Sequence, residues 1–188
     1  MKFTTIILAG GQSSRMGTNK ALIPYAGKPL IGYSIELALS LTTDILICAN
    51  NHDLDHLGFP VINDLFPVKA PLAGIHAGLT ASSSDWNLVL TCDMPNVTKE
   101  LIDGLIAMVN DTVSIVLPHH HGYAEPLCGF YHRSLLPLIT SNLNAGKYSM
   151  LDLHGFVPHQ FLVMDDQPSG KEKFLFRNMN EMKDLLGM

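Results

Sequence analysis

The sequence predicts an α/β protein built on a mainly parallel sheet, and three observations carry that expectation. Short apolar runs alternate with stretches of helical periodicity along all 188 residues. Hydrophobic residues make up 47% of the chain and charged residues 15%, enough apolar material for a sizeable core and too much for a disordered chain. The early apolar runs each stop at a glycine or at an Asn or Asp. Such ends are expected where parallel strands deliver polar groups to one edge of a sheet.

The expected strands are Thr4–Leu8, Ile45–Ala49, Pro60–Ile62, Asn87–Thr91, Val113–Leu117, Leu127–Tyr131 and Phe161–Met164, with a weaker candidate at Phe174–Phe176. The expected helices are Leu30–Leu41, Leu72–Ala81, Lys99–Val109, Leu135–Asn144, Met150–His154 and Asn180–Leu186. Leu30, Ile31, Ile35, Leu37, Ala38 and Leu41 supply an apolar face for the first helix. Pro29 stands at its start, where a missing N–H does no harm. Thr98 precedes Lys99 and Glu100 and is placed to cap a free backbone N–H. The run "DDQPSGKEK" reads as a surface loop. No repeat, low-complexity tract or long linker divides the chain, so residues 1–188 are expected to form one domain.

Charge and cysteine content narrow the function classes. A net charge of −5 argues against nucleic-acid binding through a broad basic surface, but allows a small anion held by a few local cations. Cys48, Cys92 and Cys128 lie far apart in apolar runs with no C-x-x-C pair, which reads as buried free thiols and a reducing cytoplasm. The opening "MKFTTIILAGG" holds too short an apolar run for a signal-peptide core, and no stretch is long enough to span a bilayer.

The strand ends carry the chemistry. Gly10 and Gly11 follow the first strand, Asn50 and Asn51 the second, Asn63 and Asp64 the third, and Asp93 the fourth. Any one Asn or Asp there can simply form a turn. The first loop says more. A Gly-Gly after a buried strand lets backbone N–H groups approach an anion closely. Ser13 and Ser14 add hydroxyl donors, and Arg15 and Lys20 add positive charge. Together they suit a polyphosphate, although neither the P-loop spacing nor G-x-G-x-x-G can be drawn. Asp93, in "TCDMP", would hold the Mg²⁺ that a triphosphate needs, since that ion prefers one or two carboxylates with phosphate oxygens and water.

These residues resemble a known pattern. "LAGGQSSRMGTNKAL" is similar to the signature L-A-G-G-x-S-x-R-M-G-x-D-K of the molybdenum cofactor guanylyltransferases. "APLAGIHAGL" resembles their G-P-L-A-G-I segment, "TCDMP" their C-D-x-P, "AEPLCGFY" their E-P-L segment and "FRNMN" their F-x-N-x-N tail. The resemblance runs in order from Thr5 to about Asn180. The first motif is shared by a wider nucleotidyltransferase group, while "PLAG" and "RNMN" favour the guanylyl branch.

The resemblance implies a three-layer, Rossmann-like doubly wound sheet of the nucleotide-diphospho-sugar transferase type. Its first half would bind nucleotide and its second half the pterin substrate. It implies transfer of GMP from GTP to the terminal phosphate of molybdopterin, with release of pyrophosphate. Nucleotide-binding positions carried over are Leu8, Ala9, Gly10, Lys20, Asn50, Asp64 and Asp93, to which the loop's own donors add Gly11 and Ser13. Lys20, Arg15 and Asp93 would act on the phosphates, with Asp93 on Mg²⁺. GTP and molybdopterin would be the small-molecule partners, with transient contact to cofactor-biosynthesis or acceptor proteins. The attacking phosphate is already ionised near neutral pH, so no general base is required.

Three departures stand out. Asn19 replaces the usual Asp before the lysine, Ala70 replaces the usual Gly before "PLAG", and no Thr-Pro follows Asn180. The alternatives are a cytidylyltransferase for the same pterin, a sugar-phosphate nucleotidyltransferase, and a non-catalytic nucleotide-binding protein. Other signals are discounted. His119, His120 and His121 read as a polar loop, because adjacent side chains alternate faces. His52 and His56 lie in an acidic, solvated stretch. Trp86, Tyr123 and Tyr131 read as core or rim.

Overall fold

The computed structural model describes residues 1–10, 19–150, 153, 155–164 and 174–180. In chain order the strands are β1 (Thr4–Leu8), β2 (Pro24–Tyr25), β3 (Lys28–Pro29), β4 (Ile45–Cys48), β5 (Val61–Ile62), β6 (Trp86–Thr91), β7 (Ile115–His120), β8 (Tyr123–Ala124), β9 (Gly129–His132) and β10 (His159–Val163). The helices are α1 (Leu30–Leu39), α2 (Pro71–Ala81), α3 (Lys99–Ile106) and α4 (Leu136–Asn144). Short 3₁₀ turns form at Lys20–Leu22, Asp55–Leu57 and Arg133–Leu135.

The main sheet has the order β10-β7-β9-β6-β1-β4-β5, with β8 paired to β7. β1 pairs parallel with β4 and β6, β4 with β5, and β7 with β10. β9 is antiparallel to both β6 and β7. β1, β4, β5 and β6 therefore end at one edge, as the sequence predicts, and β7 and β10 end there too. β9 instead starts there.

All five residues of β1 are buried, because helices cover both faces of the sheet. The period-2 alternation sorts them. Ile6 and Leu8 pack with Leu72, Ile75 and Leu79 of α2 and Ile139 and Leu143 of α4. Ile7 and Ala9 pack on the other face with Ile31 and Ala38 of α1. Leu101, Ile102 and Leu105 of α3 extend that second face against Leu88, Leu90 and Phe130. The result is the three-layer arrangement of helix, sheet and helix expected above. Burial of each large side chain such as Ile6 contributes on the order of 2 kcal/mol.

α2 sits directly on β1. A Cβ added at Gly78 would lie 2.6 Å from Cγ2 of Ile6, so the missing side chain sets the close approach. Thr98 caps α3 by accepting from the Leu101 N–H, and Pro29 is the residue before the first turn of α1.

Several expectations need correction. The segment Phe174–Phe176 is not a strand: its three residues make a helical turn, with Phe176 buried in the α3-side core. The seventh strand runs on to His120, so His119 and His120 belong to a strand and not to a loop. His121 (φ 48°) and Gly122 (φ 81°) form the tight turn into β8. Tyr123 on β8 is 72% exposed, whereas Trp86 and Tyr131 are core. The antiparallel pairs β2–β3 and β7–β8 add to the strands expected from the sequence. Most of the expected helices Met150–His154 and Asn180–Leu186 lies outside the described residues. Among the described residues no helix is long and apolar enough to cross a membrane.

Candidate functional site

The edge where β1, β4, β5 and β6 end carries two groups of polar side chains. The first is built on Lys20 and Asp93. Asp93 follows β6, and Lys20 opens the 3₁₀ turn whose start is capped by Asn19. The Lys20 Nζ lies 2.7 Å from Oδ2 of Asp93, with only 15% and 20% of the two side chains exposed. The Thr91 hydroxyl donates to Oδ1 of Asp93 at 2.8 Å. The Met179 N–H donates to the Asp93 carbonyl at 2.9 Å, and Lys20 donates a second bond, 2.6 Å, to Oδ1 of Asn180. The 174–180 segment thus returns across the end of β6, anchored by buried Phe176 and Met179.

Glu125 belongs to the same region. Its N–H donates to the Pro118 carbonyl of β7, and its Oε1 accepts from the Leu127 N–H. Burial pushes the Glu125 carboxyl above the usual carboxylate range, a bond from the Leu127 N–H opposes the shift, and the Asp93 charge adds to it. Because β9 runs antiparallel, the chain leading into it brings Glu125 to the edge that the other strands leave.

The second group lies beyond β1, past the ends of β4 and β5. Asn50 and Asp64 hold each other reciprocally. The Asn50 Nδ2 donates to Oδ2 of Asp64 at 2.6 Å, and the Asp64 N–H donates to Oδ1 of Asn50 at 2.8 Å. Burial raises the Asp64 carboxyl and the Asn50 bond opposes the rise. Both line a cleft of about 570 Å³ with Gly10, Asn51, Lys69, Ala70 and Pro71. That volume is within the range of small-molecule sites.

The structure brings Lys20 together with Asp93, and Asn50 together with Asp64. The end of β1 lies between the strand ends that carry the two pairs. Gly10 opens on the cleft. Leu8 and Ala9 do not: both are buried, the Leu8 carbonyl accepts from the Cys92 N–H, and the Ala9 N–H donates to the Cys48 carbonyl. Gly11, Ser13, Ser14 and Arg15 lie outside the described residues.

Asn19 uses both ends of its amide. Oδ1 accepts from the Ala21 N–H, and Nδ2 donates to Asp53 at 3.3 Å and Asn51 at 3.4 Å. Sequence reasoning assigned no role to Glu125, Asn180 or Lys69, although Glu125 lies in "AEPLCGFY" and Asn180 in "FRNMN".

Two thiols sit directly behind the site. Cys48 ends β4 and Cys92 precedes Asp93; both are free and buried. Burial, reinforced by the Asp64 and Asp93 charges respectively, pushes each thiol up to about 12. Cys128 is likewise buried and raised. None is a nucleophile at neutral pH. The histidines take structural positions. His120 stacks on Phe176 with ring centroids 4.4 Å apart, His119 packs on Phe161, and His52 pairs with Asp55 at the surface. Among the described residues no three His, Cys, Asp or Glu side chains converge as a metal cage.

Comparison with known proteins adds a second line of observation. Residues 5–157 match the MobA-like NTP transferase domain. A molybdenum cofactor guanylyltransferase from Vibrio vulnificus is 35% identical over 183 residues, 96% of this chain and 91% of that protein. The structure of molybdopterin-guanine dinucleotide biosynthesis protein A from Archaeoglobus fulgidus superposes with a TM-score of 0.79 at 23% identity, covering 98% of this chain and 96% of that one. A CMP-2-keto-3-deoxy-manno-octonic acid synthetase, solved with CTP, superposes at 0.69 and 14% identity over 92% of this chain and 96% of its own. These likenesses place the fold among the nucleotidyltransferases of the nucleotide-diphospho-sugar transferase type.

Proposed function

Because the chain belongs to the MobA-like NTP transferase family, we propose that it transfers GMP from GTP to the terminal phosphate of molybdopterin. An oxygen of the pterin phosphate attacks the α-phosphorus of GTP. The bond from that phosphorus to the bridging oxygen breaks, and pyrophosphate leaves with the electron pair. The observation that carries this reading is the Lys20–Asp93 pair at the strand ends, with the Asn50–Asp64 cleft beside it.

The nucleophile is already ionised, so the protein's task is positioning and charge neutralisation. Lys20 would meet phosphate oxygens once they draw it from Asp93, and Arg15 is carried as a second cation from the sequence pattern. Asn50 and Asp64 hold the guanosine end. The first half of the chain would then hold nucleotide and the second half the pterin, in one catalytic unit.

The residues around Asp93 suit Mg²⁺. The Asp93 charge opposes ionisation of half-buried Glu125, so two carboxyl groups share a region that a divalent cation would relieve. Asp93 would hold the ion. When bound, Mg²⁺ would neutralise charge on the triphosphate and on departing pyrophosphate. Three free buried cysteines support operation in the reducing cytoplasm.

The test is pyrophosphate release from each of the four nucleoside triphosphates, with molybdopterin, with and without Mg²⁺. Turnover with GTP and molybdopterin together supports the reading. Turnover with CTP alone would move the protein to the cytidylyl branch. Binding without turnover would leave a nucleotide-binding protein that is not a transferase.

A further inference from the structure

We propose that Lys69 is a base-reading residue, whose ammonium donates to O6 of guanine; this rests on the nucleotide reading above. Lys69 lines the same cleft as Gly10, Asn50, Asp64 and Pro71, just ahead of α2. Lys20, at the Asp93 end of the edge, donates to Asp93 and Asn180. Lys69 is exposed and makes no ion pair with a carboxylate among the described residues.

Position separates Lys69 from the phosphates. Asp93 follows β6, and the cleft lies past β4 and β5, on the far side of β1 in the sheet order. Neighbouring strands are about 4.8 Å apart, so the cleft centre lies two to three strand spacings from the Lys20–Asp93 pair. A nucleotide with its phosphates at that pair extends its base towards Lys69.

The chemistry of the cleft then selects the base. Asp64 commits Oδ2 to Asn50 and keeps Oδ1 as an acceptor. A cationic donor and an anionic acceptor in one cleft complement the neighbouring O6 acceptor and N1–H donor of guanine. Adenine presents the reverse, an amine donor and a ring-nitrogen acceptor, and so does cytosine. Uracil offers the right order, O4 beside N3–H, on a smaller ring. The cleft therefore ranks guanine first, uracil next, and disfavours adenine and cytosine.

The experiment is calorimetric titration of GTP, UTP and ATP into the wild-type protein and into Lys69→Met and Lys69→Arg. Lys69 is on the surface before the helix, so neither change disturbs the core. The expected result is a loss of about tenfold in GTP affinity in Lys69→Met, a loss also for UTP, and no loss for ATP. Lys69→Arg should retain most of the GTP affinity. An equal loss for GTP and ATP would overturn the inference, since it would mean attraction to the triphosphate alone. Unchanged GTP affinity in Lys69→Met would overturn it as well. A wild-type protein with no preference for GTP over ATP would overturn the guanylyl reading itself, and this inference with it.

Discussion

Lys20 and Asp93, 73 residues apart, meet in a 2.7 Å ion pair that the Thr91 hydroxyl and the Asn180 amide complete from either side. In the function proposed above, each partner takes up a different task once nucleotide is bound. Asp93→Asn keeps the shape and removes the charge. It is expected to lower GTP-dependent pyrophosphate release by about a hundredfold or more, in line with loss of a preorganised charged group. Circular dichroism should show the fold unchanged. Near-normal turnover in this variant would exclude Asp93 from the phosphate chemistry.

Asn19 faces Asp53 across 3.3 Å with its amide donor. Restoring the family's usual aspartate would keep the cap on Ala21 but set two carboxylates against each other. Asn19→Asp is therefore expected to destabilise the protein, by up to about 1 kcal/mol at low salt, with the loss shrinking as salt screens the exposed pair. Thermal melts at two ionic strengths check this; a raised midpoint would refute it.

His76 of α2 carries a pH dependence. Its Nε2 lies 3.0 Å from the Thr140 hydroxyl, which itself donates to the Leu136 carbonyl, so the ring must donate from Nε2. Among the described residues its buried Nδ1 has no hydrogen-bond partner, and the Phe66 ring and the imidazole meet edge to face. Burial lowers its pKa from the ordinary 6.5. The unfolded chain therefore takes up this proton first as pH falls. The contribution of His76 to stability is complete above about pH 6.5 and is lost as pH falls from there through the lowered folded value. Urea midpoints at pH 7.5 and 5.5 should differ more in the wild type than in His76→Gln, which does not titrate.

Gly78 leaves α2 no room for a side chain over Ile6. Gly78→Ala places a Cβ within 3.0 Å of three Ile6 carbons. The better helix propensity of alanine offsets part of the strain. A net loss of about 1–2 kcal/mol is expected in urea unfolding. Ile6→Ala in the same chain should make Gly78→Ala harmless or favourable, and an additive double variant would contradict the contact.

Much of this architecture was legible in the residues. β1 coincides with Thr4–Leu8 because two β-branched threonines and the apolar run Ile6–Leu8 suit a strand buried on both faces, with a glycine soon after its end. Thr98 and Pro29 marked real helix starts because capping is local chemistry. The antiparallel direction of β9 was not legible, since "LCGFY" reads alike in either direction and only tertiary pairing sets it. The β7–β8 turn was hidden by three histidines, whose polarity suggested a loop although His119 and His120 pair with β8. At the site, Lys20, Asp93, Asn50 and Asp64 were readable as strand-end groups. Asn180 was not, because its place depends on a return of 160 residues to Lys20. Lys69 was missed because one lysine in a loop carries no pattern of its own.

The burial of Cys48 and Cys92 gives the protein an internal clock. Both thiols are shut behind the ends of β4 and β6, one beside the Asn50–Asp64 cleft and one beside Asp93, and both are unreactive while covered. A thiol reagent can reach them only when their cover opens, on the α2 side for Cys48 and on the α1 side for Cys92. Its labelling rate at each cysteine therefore counts openings of that side, and a ligand that bridges the two polar groups should slow both counts.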